Sequence, residues 1–239
     1  MTAVWQTLRA KSPLNAFTLK IIMAALMLLD HLRLFLPGMP LWFHQLGRLV
    51  MPVFVFLLAQ SMAHTRSRPR YLWRLYVAAG IMQAGNGVLF LLFGTGPVNN
   101  ILLSLALTAT AIYAIDKLKE PHADQALLHI ALLLVAIAAS GFVEGRYFCL
   151  IGGLICYYLR KKPLLMSLAF VLAQGLYLLL LGRLLQTQGL MLWAAPLFLL
   201  YNGKKGPANL PSATQYFFYV FYPVHVWVLF IIGQTCFPL

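Results

Sequence analysis

The sequence is a succession of long apolar segments, separated by short polar, glycine-rich or proline-rich stretches. Most segments have roughly the 20 residues that an α-helix needs to cross a bilayer. They cover 17–36, 41–63, 71–93, 98–115, 126–142, 145–160, 163–182, 188–201 and 214–235. The sixth and eighth are short, which indicates tilted, partly re-entrant or fused helices. The pattern predicts an all-α, polytopic transmembrane bundle of about nine spans, with 1–239 forming a single integral membrane domain.

The composition supports a membrane protein, because 62% of the residues are hydrophobic and only 10% are charged. Soluble domains carry about 25% charged residues, so this much apolar surface requires lipid around it. The formal net charge is +13, but the basic residues form short clusters without the interleaved aromatic residues of a single-strand groove. We therefore expect a lipid bilayer as the surroundings and no nucleic-acid partner.

The first apolar segment is expected to be a permanent span and not a cleaved signal peptide. It is too long for a signal peptide, contains Asp30 and His31, and lacks a small-x-small cleavage site. The cysteines form no CxxC pair, and no spacing of His, Cys and carboxylate residues matches a metal site. We expect no metal.

The positions of the basic residues predict the orientation of the chain. If the N-terminus is cytoplasmic, the 18 Lys and Arg residues fall in connections on the cytoplasmic side, with the exceptions of Arg33, Arg48, Arg146 and Arg183. This asymmetry follows the positive-inside rule. It predicts nine crossings of a bacterial inner membrane, with a cytoplasmic N-terminus and a periplasmic C-terminus.

Few ionisable residues lie inside the predicted spans, and these are candidates for function because a buried charge is costly. Asp30 lies in the outer third of the first span, next to His31. Arg48 lies at a similar depth in the antiparallel second span. We expect Asp30 and Arg48 to form an ion pair, since pairing is the least costly way to bury both charges. Such a pair could also be purely structural.

His225 is predicted near the bilayer midplane, within an aromatic stretch of the last span. An imidazole there can carry a proton at physiological pH, although it could also make a purely structural hydrogen bond. Pro52 and Pro223 have no N–H to donate to the carbonyls of Arg48 and Tyr219, so they are expected to open the backbone beside these polar groups.

Further polar residues are predicted at the same outer depth on several helices. A ring of such groups indicates a pocket that is open to the outer side, although an Asn at a helix end is often only a cap. The ring consists of Gln83, Asn86, Asn99, Asn100, Glu144 and Tyr147.

Several short stretches, in a fixed order along the chain, resemble the TraX family of membrane acetyltransferases. No single stretch is specific, but the ordered set covers nearly the whole chain from Lys20 onward. Met51, Arg146 and Phe148 depart from the family pattern, and none of them is a candidate catalytic residue. The matching stretches are Leu19–Ile22, Met27–Leu32, Gly47–Phe54, Arg74–Leu75 leading to Gln83, Asn100–Leu102, Glu144–Tyr147 and Phe221–His225.

The resemblance implies transfer of an acetyl group from cytoplasmic acetyl-CoA to an acceptor on the outer side. The best-known member of the family acetylates the N-terminus of a conjugative pilin. The implied partners are thus acetyl-CoA, as acyl donor, and a pilin subunit or another envelope acceptor.

Acyl transfer requires a general base and stabilisation of the developing oxyanion. We expect His31 to be the base and Asp30 to hold Arg48, while Arg48 or His225 polarises the thioester carbonyl. The reverse assignment, with His225 as the base, stays open. The acceptor would be bound by Gln83, Asn99, Asn100, Glu144, Tyr147 and Tyr222, and the donor's phosphates by Lys20, Arg70 and Arg74.

Other functions fit part of the same pattern. The buried Asp, Arg and His residues could form the proton relay of a transporter or flippase, although no inverted repeat is visible. The acceptor could also be an envelope sugar, which would make the protein an O-acetyltransferase. A structural subunit without any chemistry is the third alternative.

Overall fold

The computed structural model describes residues 11–120, 125–207 and 214–237. Within these ranges the chain contains α-helices and one 3-10 helix but no β-strand. The α-helices are α1 (Ala16–Phe35), α2 (Leu41–Gly47), α3 (Val50–His64), α4 (Arg68–Phe93), α5 (Ile101–Leu118), α6 (Ala126–Ser140), α7 (Arg146–Tyr158), α8 (Pro163–Leu180), α9 (Ala195–Leu200) and α10 (Thr214–Cys236). The 3-10 helix, Thr187–Ala194, precedes α9.

Each of the nine apolar segments corresponds to helical structure, but two segments are broken. The segment 41–63 divides into α2 and α3, which begins at Val50. Pro52 therefore lies in the first turn of α3, where a missing N–H leaves no helical hydrogen bond unmade. The segment 188–201 divides into the 3-10 helix and α9, which has Pro196 in its first turn. In both segments the proline lies in the first turn of a helix, whereas Pro223 lies in the interior of α10.

Five of the described helical segments are long and apolar enough to cross a membrane. Helix α1 has sufficient length but is not among these five, because Lys20, Asp30 and Arg33 place three charged residues in it. Two other apolar helical stretches are shorter, namely Ala126–Ser140 and Thr187–Leu200. The number of nine crossings and the orientation stay predictions. The five candidates are Leu41–His64, Arg68–Phe93, Ile101–Leu118, Pro163–Leu180 and Tyr216–Cys236.

The chain forms two compact units. The first comprises the described parts of Met1–Phe54, Gly85–Pro97 and Leu178–Leu239, and the second comprises those of Val55–Ala84 and Val98–Tyr177. In the first unit α1 packs against α2 and α10, and in the second α5 packs against α6 and α7.

Small residues allow the close packing of α5 and α7 in the second unit. Gly153 of α7 faces the side chain of Thr108, and a Cβ atom at Gly153 would lie only 2.2 Å from Thr108 Cγ2. Small residues commonly occupy the interfaces of membrane helices, because they let the backbones approach. Four alanines at other positions of α5 are also fully buried, namely Ala106, Ala109, Ala111 and Ala114.

We predict that Gly153→Ala destabilises the protein, because Thr108 is fully buried and cannot move away. Overpacking of this kind costs about 1–3 kcal/mol. Thermal unfolding in detergent would measure the loss. Gly80→Ala is the matched control, since Gly80 is also helical but nothing lies within 4 Å of its added Cβ. Equal unfolding temperatures for the two variants would contradict the close packing.

Candidate functional site

A three-residue ionic network in the first unit centres on Asp30 of α1. Arg48 Nη2 donates to Asp30 Oδ2 over 2.6 Å. His44 Nδ1 lies 2.7 Å from Asp30 Oδ1. Because an ionised carboxylate only accepts hydrogen bonds, Nδ1 of His44 must carry a proton and donate it to Asp30. The expected pairing of Asp30 with Arg48 is confirmed.

The sequence around the end of α2 explains how both partners reach one carboxylate. His44 and Arg48 are four residues apart, and therefore on the same side of a helical turn. Gly47 lies directly against Asp30, since a Cβ atom at Gly47 would lie 2.4 Å from Asp30 Cβ. Only glycine allows this approach. His44 is not among the site residues that the sequence predicts, but its i, i+4 spacing to Arg48 is a usable signal.

A second polar pair in the same unit joins α1 to α10. His31 Nδ1 lies 2.9 Å from His225 Nε2, and His225 Nδ1 lies 2.6 Å from the carbonyl oxygen of Phe221. The two histidines are only 6% and 7% exposed. Burial in apolar surroundings disfavours charged rings.

The contacts of this pair define its tautomers if both rings are neutral. The Phe221 carbonyl can only accept, so His225 donates from Nδ1 and its Nε2 is an acceptor. His31 must then donate from Nδ1 to His225, which leaves the lone pair of His31 on Nε2. The arrangement is a directed chain of two imidazoles that ends in one basic nitrogen.

Aromatic rings surround the histidine pair. The Phe221 ring stacks on His225 with centroids 4.6 Å apart, and the Phe35 ring stacks on His31 at 6.0 Å. Tyr222, an expected acceptor-binding residue, is buried and lies 6.2 Å from His31 between ring centroids. The pair therefore has an apolar shell, with Tyr222 as its nearest hydroxyl-bearing side chain among these contacts.

Two further polar residues belong to the first unit. Asn86 is buried and accepts a hydrogen bond from Trp227 Nε1 over 3.0 Å. Lys20, an expected donor-binding residue, lies 5.5 Å from the centre of the Phe218 ring. Both contacts tie α10 to other helices of the same unit, which is a structural role.

The other residues expected to bind the acceptor belong to the second unit. Asn100 caps α5, because its side chain accepts from the Leu103 N–H, and it donates to Gln83 over 3.3 Å. Ser104 donates to the Glu144 carbonyl. The structure thus joins Gln83 with Asn100, while Asn99, Glu144 and Tyr147 are half-buried or exposed in the same unit.

The cations expected to bind the donor belong to different units. Arg70 is exposed, and Arg74 lies 5.7 Å from the centre of the Tyr71 ring. Both belong to the second unit, whereas Lys20 belongs to the first.

A polar cluster that the sequence did not indicate lies in the second unit. Asp116 accepts from Arg68 Nη1 over 2.7 Å and from the hydroxyls of Tyr157 and Tyr158 over 2.5 and 2.9 Å. Arg68 also donates to the Tyr157 hydroxyl over 2.6 Å. Arg68 is the first residue of α4, and Asp116 lies in the last turn of α5. Among the described residues, no group of three or more His, Cys, Asp or Glu side chains could hold a metal.

The apolar helices and the ionisable groups held between them define a helical membrane protein. The family described as TraX protein matches residues 16–233, and the chain belongs to that family. It is similar to the probable fimbrial assembly protein FimC, serogroup H1, of Dichelobacter nodosus. The two are 29% identical over an alignment of 245 positions, and this alignment covers 90% of this chain and 94% of the relative. No solved structure matches the chain significantly.

We predict that the ion pair between Asp30 and Arg48 appears as coupling in a double-mutant cycle. The two side chains are each only 16% exposed, so Asp30→Asn or Arg48→Met leaves the other charge poorly compensated and costs about 2 kcal/mol. The double variant removes both charges and should lose less than the sum. Thermal unfolding in detergent measures each variant.

Arg66→Met serves as the control for the cycle, because Arg66 is exposed and should change stability by less than about 0.5 kcal/mol. Additive losses in the double variant, within about 0.5 kcal/mol, would show that the two side chains do not interact.

Proposed function

We propose that this protein is a membrane acetyltransferase. It moves an acetyl group from cytoplasmic acetyl-CoA to an acceptor on the outer side of a bacterial inner membrane, most simply the N-terminal amine of a processed pilin. Membership of the TraX family and the similarity to a fimbrial assembly protein support a role connected with pili. The observation that carries the proposal is the directed pair of buried imidazoles, His31 and His225.

In the proposed reaction, the neutral amine of the acceptor attacks the thioester carbonyl of acetyl-CoA. The N–C bond forms and the amine proton passes to Nε2 of His31. The C–S bond then breaks, and the coenzyme A thiolate takes up the proton that His31 received, which restores the neutral imidazole. His225 acts as a positioning residue, because its bonds to Phe221 and His31 hold the basic nitrogen in one tautomer. This arrangement favours His31 over His225 as the base.

Arg48 is proposed to stabilise the negative charge that develops on the carbonyl oxygen. One of its nitrogens bonds Asp30, but its buried Nε has no hydrogen-bond partner among the described residues. Buried donors are normally satisfied, so an orphan donor at a candidate site indicates a role with a bound molecule. Asp30 and His44 hold the guanidinium in position.

The same residues are compatible with two other chemistries. An envelope sugar hydroxyl could replace the amine without any change in the catalytic groups. In a transporter the imidazole pair would pass protons instead. A covalent acetyl-histidine is a variant of the first mechanism, and it would give ping-pong kinetics in place of a ternary complex.

We predict that His31→Ala abolishes most of the transfer. The purified protein is incubated with labelled acetyl-CoA and a peptide with the N-terminus of a processed pilin, and mass spectrometry measures acetylation. Removal of a general base lowers kcat by about 10²–10⁴-fold. His225→Ala should lower kcat by less, because the basic nitrogen remains.

His129→Ala is the matched control for these variants. His129 is also a buried histidine of an apolar helix, but it packs against Tyr113 in the second unit. Transfer that His31→Ala leaves unchanged would exclude His31 as the base. No transfer by the unaltered protein, together with proton movement across vesicles, would favour the transporter.

We predict that His44 acts by positioning and not by proton transfer. His44→Gln keeps an N–H that can donate to Asp30, so kcat should stay within about threefold. His44→Phe loses a hydrogen bond to a charged group, which is worth about 1.5 kcal/mol and corresponds to about tenfold. A loss in His44→Gln as large as in His31→Ala would instead make His44 a proton-transfer residue.

A further inference from the structure

The cluster around Asp116 carries more positive charge than its one carboxylate balances. The Arg160 guanidinium lies 4.4 Å from the centre of the Tyr157 ring, and the Lys119 ammonium lies 3.9 Å from that of Tyr158. With Arg68, three cations therefore surround two tyrosine rings whose centroids are 5.0 Å apart. Among the described residues, only Arg68 of these three cations makes an ion pair. The cluster has an excess of two positive charges.

The carboxylate itself has no capacity left for Lys119 and Arg160. Asp116 already accepts three hydrogen bonds, from Arg68 and the two tyrosine hydroxyls. Glu120, the nearest acidic neighbour along the chain, pairs with Lys117. Within the part of the chain that the structure describes, no second carboxylate balances the excess, which leaves this charge for solvent ions or a bound anion.

Most hydrogen-bond donors of Arg160 and Lys119 have no acceptor among the residues that the structure describes. Arg160 uses one of its five N–H groups, on the Tyr157 carbonyl over 2.6 Å. The Lys119 ammonium group makes no hydrogen bond within the described residues, although the backbone N–H of Lys119 donates to the Asp116 carbonyl. Guanidinium and ammonium groups held side by side are the groups that bind phosphate oxygens in proteins.

The fixed position of these cations distinguishes them from charges that only set membrane orientation. A topological charge needs no partner and can extend into water. Lys161 and Lys162 are of that kind, because both are exposed and neither makes an ion pair or a cation–π contact with another described residue. Lys119 and Arg160, by contrast, lie over the rings of Tyr158 and Tyr157, which Asp116 holds in turn.

We propose that Arg68, Lys119 and Arg160 form a binding site for a phosphate group, supported on Tyr157 and Tyr158. The phosphate has two possible sources, namely a nucleotide such as coenzyme A and the headgroup of an anionic phospholipid. The nucleotide source rests on the acetyl transfer proposed above, whereas the lipid source does not. All three cations come from connections predicted to be cytoplasmic, where both sources are present.

The test measures binding without turnover, so that its result does not depend on whether the protein transfers acetyl groups. The protein is reconstituted in nanodiscs of phosphatidylcholine, and calorimetry measures the affinity for coenzyme A and for dephospho-coenzyme A. A parallel series replaces about a fifth of the lipid by phosphatidic acid and measures thermal stabilisation. The variant is Lys119→Ala with Arg160→Ala.

The matched control is Lys161→Ala with Lys162→Ala, which removes the same charge next to Arg160. We expect the cluster variant to weaken one of the two ligands by at least about tenfold and the control to weaken it by less than about threefold. Loss of coenzyme A binding identifies the nucleotide, and loss of the lipid effect identifies the headgroup. If both variants weaken ligand binding equally, or if neither variant weakens it, the proposal is overturned.

Lys119→Gln provides a second variant if the double substitution impairs folding. Lys119 is exposed, so the single substitution should leave thermal unfolding unchanged while it weakens the same ligand about threefold or more. Unchanged affinity for both ligands in a well-folded Lys119→Gln protein would exclude Lys119 from the site.

Discussion

A charged side chain inside an apolar helix is stable only if other groups of the protein replace the water that it loses. Asp30 shows what this constraint requires. Its carboxylate has an arginine on one oxygen and a histidine on the other. The glycine at position 47 lets α2 approach closely enough for both contacts. The helix break between α2 and α3 follows from the same region of sequence, since Pro52 begins the new helix there.

Neighbouring positions on one helix serve different chemistry in this protein. Asp30 and His31 are adjacent, so their side chains point about 100° apart around α1. Asp30 consequently belongs to an ionic network, whereas His31 faces α10 and forms a bond between two imidazoles. A charged group that orients and a neutral group that can accept a proton are the two components that general-base catalysis needs. The proposed acetyl transfer uses this division.

In the second unit, other types of side chain surround the carboxylate and replace the water that it loses. Asp116 is balanced by Arg68 and by two tyrosine hydroxyls. Tyrosine can serve here because it donates a hydrogen bond and also offers an aromatic face to cations. This combination leaves Lys119 and Arg160 positioned but uncompensated. It therefore distinguishes a cluster that can recognise an anion from a simple excess of charge.

The lengths of the apolar segments predicted the helices of this protein. In lipid the backbone N–H and C=O groups must form their hydrogen bonds within the helix, so a long apolar segment becomes helical. The pairing of Asp30 with Arg48 could also be predicted, since both lie at a similar depth on consecutive antiparallel helices. Pro52 was expected to open the backbone beside Arg48, and the helix is interrupted there, between Gly47 and Val50. The break before Ala195 was not predicted, because an apolar segment looks the same whether or not it is interrupted. Family membership followed from short stretches in a fixed order.

Tertiary structure decided which side chains meet. The sequence places Arg68, Asp116 and Tyr157 on three different helices, and only the rotation of each helix about its axis brings them into contact. The same holds for His31 and His225, which are 194 residues apart. Hydrophobicity in lipid specifies the depth of a residue but hardly its rotation, since a lipid-facing and a protein-facing apolar surface are chemically alike. Rotation is set by the packing of small residues and by the polar pairs themselves.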